Sequence, residues 1–122
     1  PDTAVIYRYH NSNEDTILSH AIEYIRQNSR QHISINSLAE FCHCSSSHLS
    51  HIFKKRTGVN INLYINKVRI ELSKNYLINS TDSISEIAIN TGFNDPNYYT
   101  RVFTKIMGIS PKEFRRRFKN TN

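Results

Sequence analysis

SISEIAINTGFNDPNYYTRVFTKIMGISPKEFR, residues 83–115, is the stretch whose reading decides the fold. Ser83-Ile84-Ser85-Glu86 is a capping box, in which serine and glutamate satisfy reciprocal backbone donors at a helix start. Ile84, Ile87 and Ala88 then give a short apolar face, closed by Thr91-Gly92. Asp95-Pro96 starts the next helix, with proline where its missing N–H costs least. Tyr99, Val102, Phe103 and Ile106 recur at helical spacing, and Gly108 is placed to end the helix in the left-handed conformation. Ser110-Pro111-Lys112-Glu113 is a second capping box. It opens a last helix that packs Phe114 and Phe118, four apart, and leaves Arg115, Arg116 and Arg117 mostly to solvent.

The same pattern stands earlier in the chain as SINSLAEFCHCSSSHLSHIFKKRTG, residues 34–58. A shift of 49 lays Leu38 on Ile87, Ala39 on Ala88 and Cys44 on Phe93. A shift of 50 lays Ile52 on Val102, Phe53 on Phe103, Lys55 on Lys105 and Gly58 on Gly108. The slip of one residue falls in the turn, where an insertion is cheapest. Each copy is a short helix with an internal alanine, a tight turn, and a longer helix with aliphatic and aromatic anchors. That is the size and pattern of a helix-turn-helix, whose second helix can enter a major groove. Ala39 and Ala88 are expected where the two helices of each copy cross, because a small residue lets them approach.

The rest of the chain supports these two units. Ile17, Leu18, Ala21, Ile22 and Ile25 predict a first helix from Thr16 to about Asn28. Residues 1–13 lack a sustained period and read as a leader or linker remnant, with residues 14–122 as the domain. A long helix is predicted over about 61–77, with Ile61, Ile65, Val68 and Leu72 on one narrow buried face. At ~1.5 Å per residue it spans roughly 25 Å, enough to set two reading helices about one DNA turn apart. With three Gly and three Pro in 122 residues, a turn-rich β fold is disfavoured and the class is all-α.

Charge narrows the partner. The net charge is +6, and residues 41–122 hold 13 of the 16 Lys and Arg but five of the ten acids. A basic region on a small helical domain suits a polyanion, nucleic acid being the commonest. No apolar run approaches the ~20 residues of a spanning helix and no signal-peptide pattern opens the chain, so no membrane partner is expected. Cys42 and Cys44, two apart, are too close for a relaxed mutual disulfide and fit a reducing cytoplasm.

The faces opposite the apolar stripes carry the candidate site. Ser47, His51 and Lys54 lie outward on the first longer helix, flanked by Ser50 and Lys55, with Ser46 at its start. Asn97, Arg101 and Thr104 lie outward on the second, flanked by Thr100 and Lys105, with Tyr98 against a DNA backbone or a thymine methyl. Neither face carries an acid. Arg can read guanine bidentately, Asn can read adenine, and Ser, Thr and Lys serve bases or phosphates.

These two stretches, with YINKVRIELSKNYL at residues 64–77 between them, resemble the DNA-binding domain of the AraC/XylS transcription regulators. The resemblance covers roughly residues 17–118. It implies seven helices, two helix-turn-helix units joined by a long central helix, and sequence-specific double-stranded DNA binding in successive major grooves. It also implies an activator, with RNA polymerase as a further partner. The family's base-facing positions fall on Ser47, Ser50 and His51, and on Asn97, Tyr98 and Arg101; the first set differs from the Trp, Gln or Arg of some relatives. The family often carries a separate sensing or dimerisation domain ahead of this one, and Pro1 suits a chain cut from such a protein.

The residues also bear on other functions. A helical protein-interaction module with a basic surface is the main alternative; RNA binding has few exposed stacking aromatics to support it. Cys42, His43, Cys44, His48 and His51 suggest zinc, but His51 faces outward while Cys42 faces inward, so four ligands do not converge. No nucleophile elbow, phosphate-cradling glycine loop or His-Glu metal motif is present, and neither a cofactor nor an enzymatic reaction is expected.

Overall fold

A computed structural model describes the backbone of residues 3–119 and the side-chain surroundings of residues 13–119. Seven helices follow one another: α1 (Thr3–Asn28), α2 (Ile35–Phe41), α3 (Ser46–Thr57), α4 (Ile61–Asn79), α5 (Ile84–Asn90), α6 (Pro96–Met107) and α7 (Pro111–Phe118). No strand occurs among the described residues. They divide into two compact units. The first holds α1, α2, α3 and the first turn of α4 as far as Tyr64; the second holds Ser29–His32, α4 from Ile65, and α5 to α7.

The helix starts are fixed by the residues the sequence offers. The hydroxyls of Ser34, Ser45, Ser83 and Ser110 accept from the backbone N–H of Ser37, His48, Glu86 and Glu113, and the Asp95 carboxylate accepts from that of Asn97. Each cap satisfies one donor that the helix itself leaves open. The exception is α1, which begins at Thr3 rather than near Thr16, so that residues 3–13, read as an irregular leader, are helical. No Gly or Pro stands between Thr3 and Asn28, and Asn11-Ser12-Asn13 weaken a helix without breaking one.

The backbone hydrogen bonds of the repeat recur at the turns. The N–H of Cys44 bonds Ala39 O at 3.1 Å, and that of Phe93 bonds Ala88 O at 2.9 Å. Gly58 and Gly108 both close their helices at φ 82, bonding back to the carbonyls of Lys54 and Thr104. In the turn between the paired helices the first unit places His43 at φ 57 where the second places Gly92 at φ 106. The caps Ser45 and Asp95 are already 50 apart, so the extra residue is Asn94. Ala39 and Ala88 are both buried, at 3% and 0% exposure.

Two expectations about the core are corrected. On α4, Ile61 and Ile65 are buried, but the face then turns: Ile70, Ser73 and Leu77 are buried, while Val68 and Leu72 are half-exposed. The helix gives its first turn to one core and the remainder to another, so no single stripe runs its length. On α7, Phe114 is buried but Phe118 remains 52% exposed, its ring resting on Phe114 with centroids 4.8 Å apart.

The second core is wired by aromatic edges. Phe93, Tyr99, Phe103 and Phe114 follow one another at centroid distances of 5.1, 5.8 and 5.5 Å. The buried Tyr99 hydroxyl donates to Ser73 Oγ at 2.9 Å, and Ser73 donates to Ile70 O at 2.8 Å. Burial pushes the Tyr99 phenol up to about 12, against the opposing pull of the Ser73 bond and Arg115. It stays neutral, and its polar atom is satisfied inside an apolar core.

Candidate nucleic-acid interface

On α3 the sequence buries Leu49, Ile52 and Phe53, which turns Ser47, Ser50, His51, Lys54 and Lys55 to solvent. Ser46 departs from the outward reading. It is half-buried, and its hydroxyl donates to Asn36 Oδ1 of α2 at 2.6 Å, fastening the turn. Lys54 Nζ bonds the Gly58 carbonyl at 3.1 Å, where a cation suits the helix C-terminus. Lys55 lies 3.6 Å from Glu14 of α1, and Arg56 pairs with both Glu14 and Asp15. The face is therefore small and polar at its start and basic at its end, where Lys55 and Arg56 are engaged by acids and Lys54 by a carbonyl.

On α6, Tyr99 and Phe103 are buried while Asn97, Tyr98, Arg101, Thr104 and Lys105 are exposed. Thr100 is half-buried, and its hydroxyl is committed to the Pro96 carbonyl at 3.1 Å. That of Thr104 is committed to Thr100 O at 2.7 Å. These two threonines lend a methyl more readily than a donor. Tyr98 is 42% exposed, yet held on three sides. Its hydroxyl accepts from Asn66 Nδ2 at 3.1 Å, its ring leans on Phe93 at 6.1 Å, and the Arg101 guanidinium lies 5.8 Å over it. Among the described residues no acid pairs with Arg101 or Lys105.

The basic run on α7 divides in a way the sequence did not show. Arg115 does not face solvent: it is half-buried, and its guanidinium donates to the carbonyls of Leu77, Asp82 and Ser80 at 3.1, 2.5 and 3.1 Å. It satisfies the end of α4 and the chain beyond it, a structural task. Arg116 and Arg117 both bond Glu113, and these bonds draw the Glu113 carboxyl down to about 2.

The cysteines are free, Cys42 buried and Cys44 half-buried. Cys42 Sγ donates to the Ile17 carbonyl at 3.7 Å, and burial, then the neighbouring Cys44, pushes the thiol up to about 11. A thiol held protonated is a poor zinc ligand. Among the described residues no three of His, Cys, Asp and Glu are grouped to hold a metal ion. No helix there is long and apolar enough to cross a membrane.

Sequence reasoning missed Asn66 and Arg69. Asn66 reaches Tyr98 across 32 positions, and Arg69 bonds the carbonyls of Ser29 and Gln31 at 2.7 and 2.8 Å. Neither leaves a local signal, since each partner is brought in by folding.

Two capped helix pairs, each with an acid-free longer helix showing a polar face, define a tandem helix-turn-helix protein. Comparison with known proteins makes the class particular. The sequence model described as a helix-turn-helix domain matches residues 38–117. The bifunctional transcriptional activator/DNA repair enzyme AdaA of Bacillus subtilis is 37% identical over 97 residues, covering 80% of this chain and 46% of that protein. The lactose operon transcription activator of Staphylococcus xylosus is 33% identical over 110 residues, covering 90% of this chain and 39% of that protein. Among solved structures, the C-terminal domain of AraT, a response regulator from Geobacillus stearothermophilus, superposes with a TM-score of 0.82 at 30% identity, covering 87% of this chain and 88% of that one. The chain belongs to the AraC/XylS family of helix-turn-helix regulators. It spans under half the length of those two curated relatives.

Proposed function

We propose that this chain binds double-stranded DNA in a sequence-specific way as the reading module of a cytoplasmic transcription activator. The observation that carries the reading is the repeated geometry: α3 and α6 end on glycines of equal φ, follow turns of equal bonding, and carry no acid along their length. A helix that only faced solvent would mix both signs of charge. Ser47, Ser50 and His51 on α3, and Asn97, Tyr98 and Arg101 on α6, are the base-facing candidates; Ser46, Lys54, Lys55, Thr100, Thr104 and Lys105 flank them. In this reading the two helices enter successive major grooves, and the module acts by binding rather than by catalysis. Two of its relatives are named as transcription activators, which supports the sign of regulation. A separate sensing domain fits their greater length.

Random-site selection on double-stranded DNA tests the proposal. Enrichment of a bipartite, asymmetric motif with two blocks about one helical turn apart is expected. Selection that enriches nothing, with binding that follows only total salt, would sink it in favour of a basic protein-interaction module.

A further inference from the structure

We propose that Asn66, on α4 and outside the reading helix, is a positioning residue for base recognition, acting through Tyr98 on Arg101. The inference rests on the reading just given and adds a residue that neither helix-turn-helix contains.

The chain of contact is short and lies within one compact unit. Asn66 is half-buried and donates Nδ2–H to the Tyr98 hydroxyl oxygen at 3.1 Å. The Tyr98 ring is backed by Phe93, itself buried, and carries Arg101 above it at 5.8 Å. An exposed tyrosine at the third position of a helix would otherwise swing freely about χ1, and the arginine resting on it would swing with it. Two consequences follow from the direction of the hydrogen bond. Because the amide is the donor, one side of the phenolic oxygen is occupied and the phenolic hydrogen is left for an acceptor outside the protein. Such acceptors line the major groove as guanine N7 and O6, adenine N7 and thymine O4, and its rim as phosphate. Because the ring is held, the guanidinium plane is set before DNA arrives, so less side-chain freedom is lost on binding. The first unit has no such arrangement: the residue at the position of Tyr98 is His48, which is exposed.

Asn66→Ala, Tyr98→Phe and the double variant test this in the whole chain. Alanine is the better helix former, so a melting temperature close to wild type is expected for Asn66→Ala. Affinity is measured across a salt series on the duplex enriched by the wild-type chain and on its scrambled counterpart. Asn66→Ala should lower the ratio of cognate to scrambled affinity about three- to tenfold, with the scrambled affinity and the salt slope unchanged. Tyr98→Phe, which also removes the phenolic donor, should lower the ratio at least as much, and the double variant should lose no more than Tyr98→Phe alone. A second readout needs no DNA: in wild type the Arg101 Nε–H should show a restrained heteronuclear NOE, and in Asn66→Ala that restraint should be lost. An unchanged affinity ratio, an equal fall on both duplexes, losses that multiply in the double variant, or an Arg101 equally mobile in both chains overturns the proposal. If the wild-type chain selects no motif at all, it is the DNA-reading function that fails, and this inference with it.

Discussion

The two helix-turn-helix units share a backbone and differ in how they prepare their outer faces. In the second, the reading helix is built in advance: Tyr98 is fixed by Asn66 and Phe93, Arg101 lies over it, and among the described residues no acid pairs with the cations. In the first, Ser47, Ser50 and His51 offer short, exposed side chains, and the basic end of α3 is paired with Glu14 and Asp15 of α1. The cores diverge in the same direction. Tyr99, wired to Ser73, stands where the first unit has the aliphatic Leu49. A duplicated fold thus supplies two placements for a helix, while the side chains decide what each does. On our reading both helices discriminate bases, α6 with a tyrosine and arginine already held in place and α3 with short, exposed side chains.

The largest effect should come from the shared feature. Ala39→Glu or Ala88→Glu places an unpaired carboxylate at a buried crossing, at a cost of at least about 4 kcal/mol, and should unfold the unit that carries it. Amide spectra should lose the dispersion of that unit's signals; melts indistinguishable from wild type would break the equivalence of the two copies. Next in size is a difference between matching positions. A Cβ at Gly92 would lie 2.3 Å from Ser29 O and 2.7 Å from Arg69 Nε, at φ 106. Gly92→Ala should cost about 2–4 kcal/mol in denaturant unfolding. His43→Gly, at the corresponding turn, should change stability by no more than about 1 kcal/mol. Equal effects at both sites would mean that the turns are under the same constraint.

Binding sharpens the contrast further. Arg101→Ala should cost about 1–3 kcal/mol on the preferred site and relax choice at one base pair. Lys105→Ala should weaken all sequences alike and lower the salt slope by about one. An equal fall for Arg101→Ala on cognate and scrambled duplexes would reduce Arg101 to a phosphate contact. The smallest change belongs to the first unit. Removing the charges of Glu14 and Asp15 (Glu14→Gln with Asp15→Asn) should shift stability by less than about 1 kcal/mol, since these pairs are exposed. The same variant should tighten binding to scrambled DNA a few-fold at low salt, by freeing Lys55 and Arg56 for phosphate. Unchanged binding in electrophoretic shift titrations would show that the acids do not compete with DNA.

Local chemistry accounts for what could be read early. Serine, aspartate, proline and glycine act on their own backbone within a few residues, so the caps at Ser34, Ser83, Asp95 and Ser110 and the stops at Gly58 and Gly108 stand where the sequence places them. The repeat added long-range information, because two copies of one pattern must bury equivalent residues, and Ala39 and Ala88 do. Failures came where one element serves two neighbourhoods or where nothing breaks a helix, as with the turning face of α4 and the early start of α1.

By itself, then, the sequence determined seven helices, their boundaries from α2 onward, the two helix-turn-helix units and which side of α3 and α6 faces outward, since each follows from periodicity and caps acting over a turn or two. Only the tertiary structure decided that Arg115 serves carbonyls rather than solvent, that Asn66 grips Tyr98, and that the acids of α1 cover the basic end of α3. Those pairings join residues 32 to 42 positions apart. A long polar side chain looks the same in sequence whether it ends in water or on a partner, and only the packing of the helices brings that partner within reach.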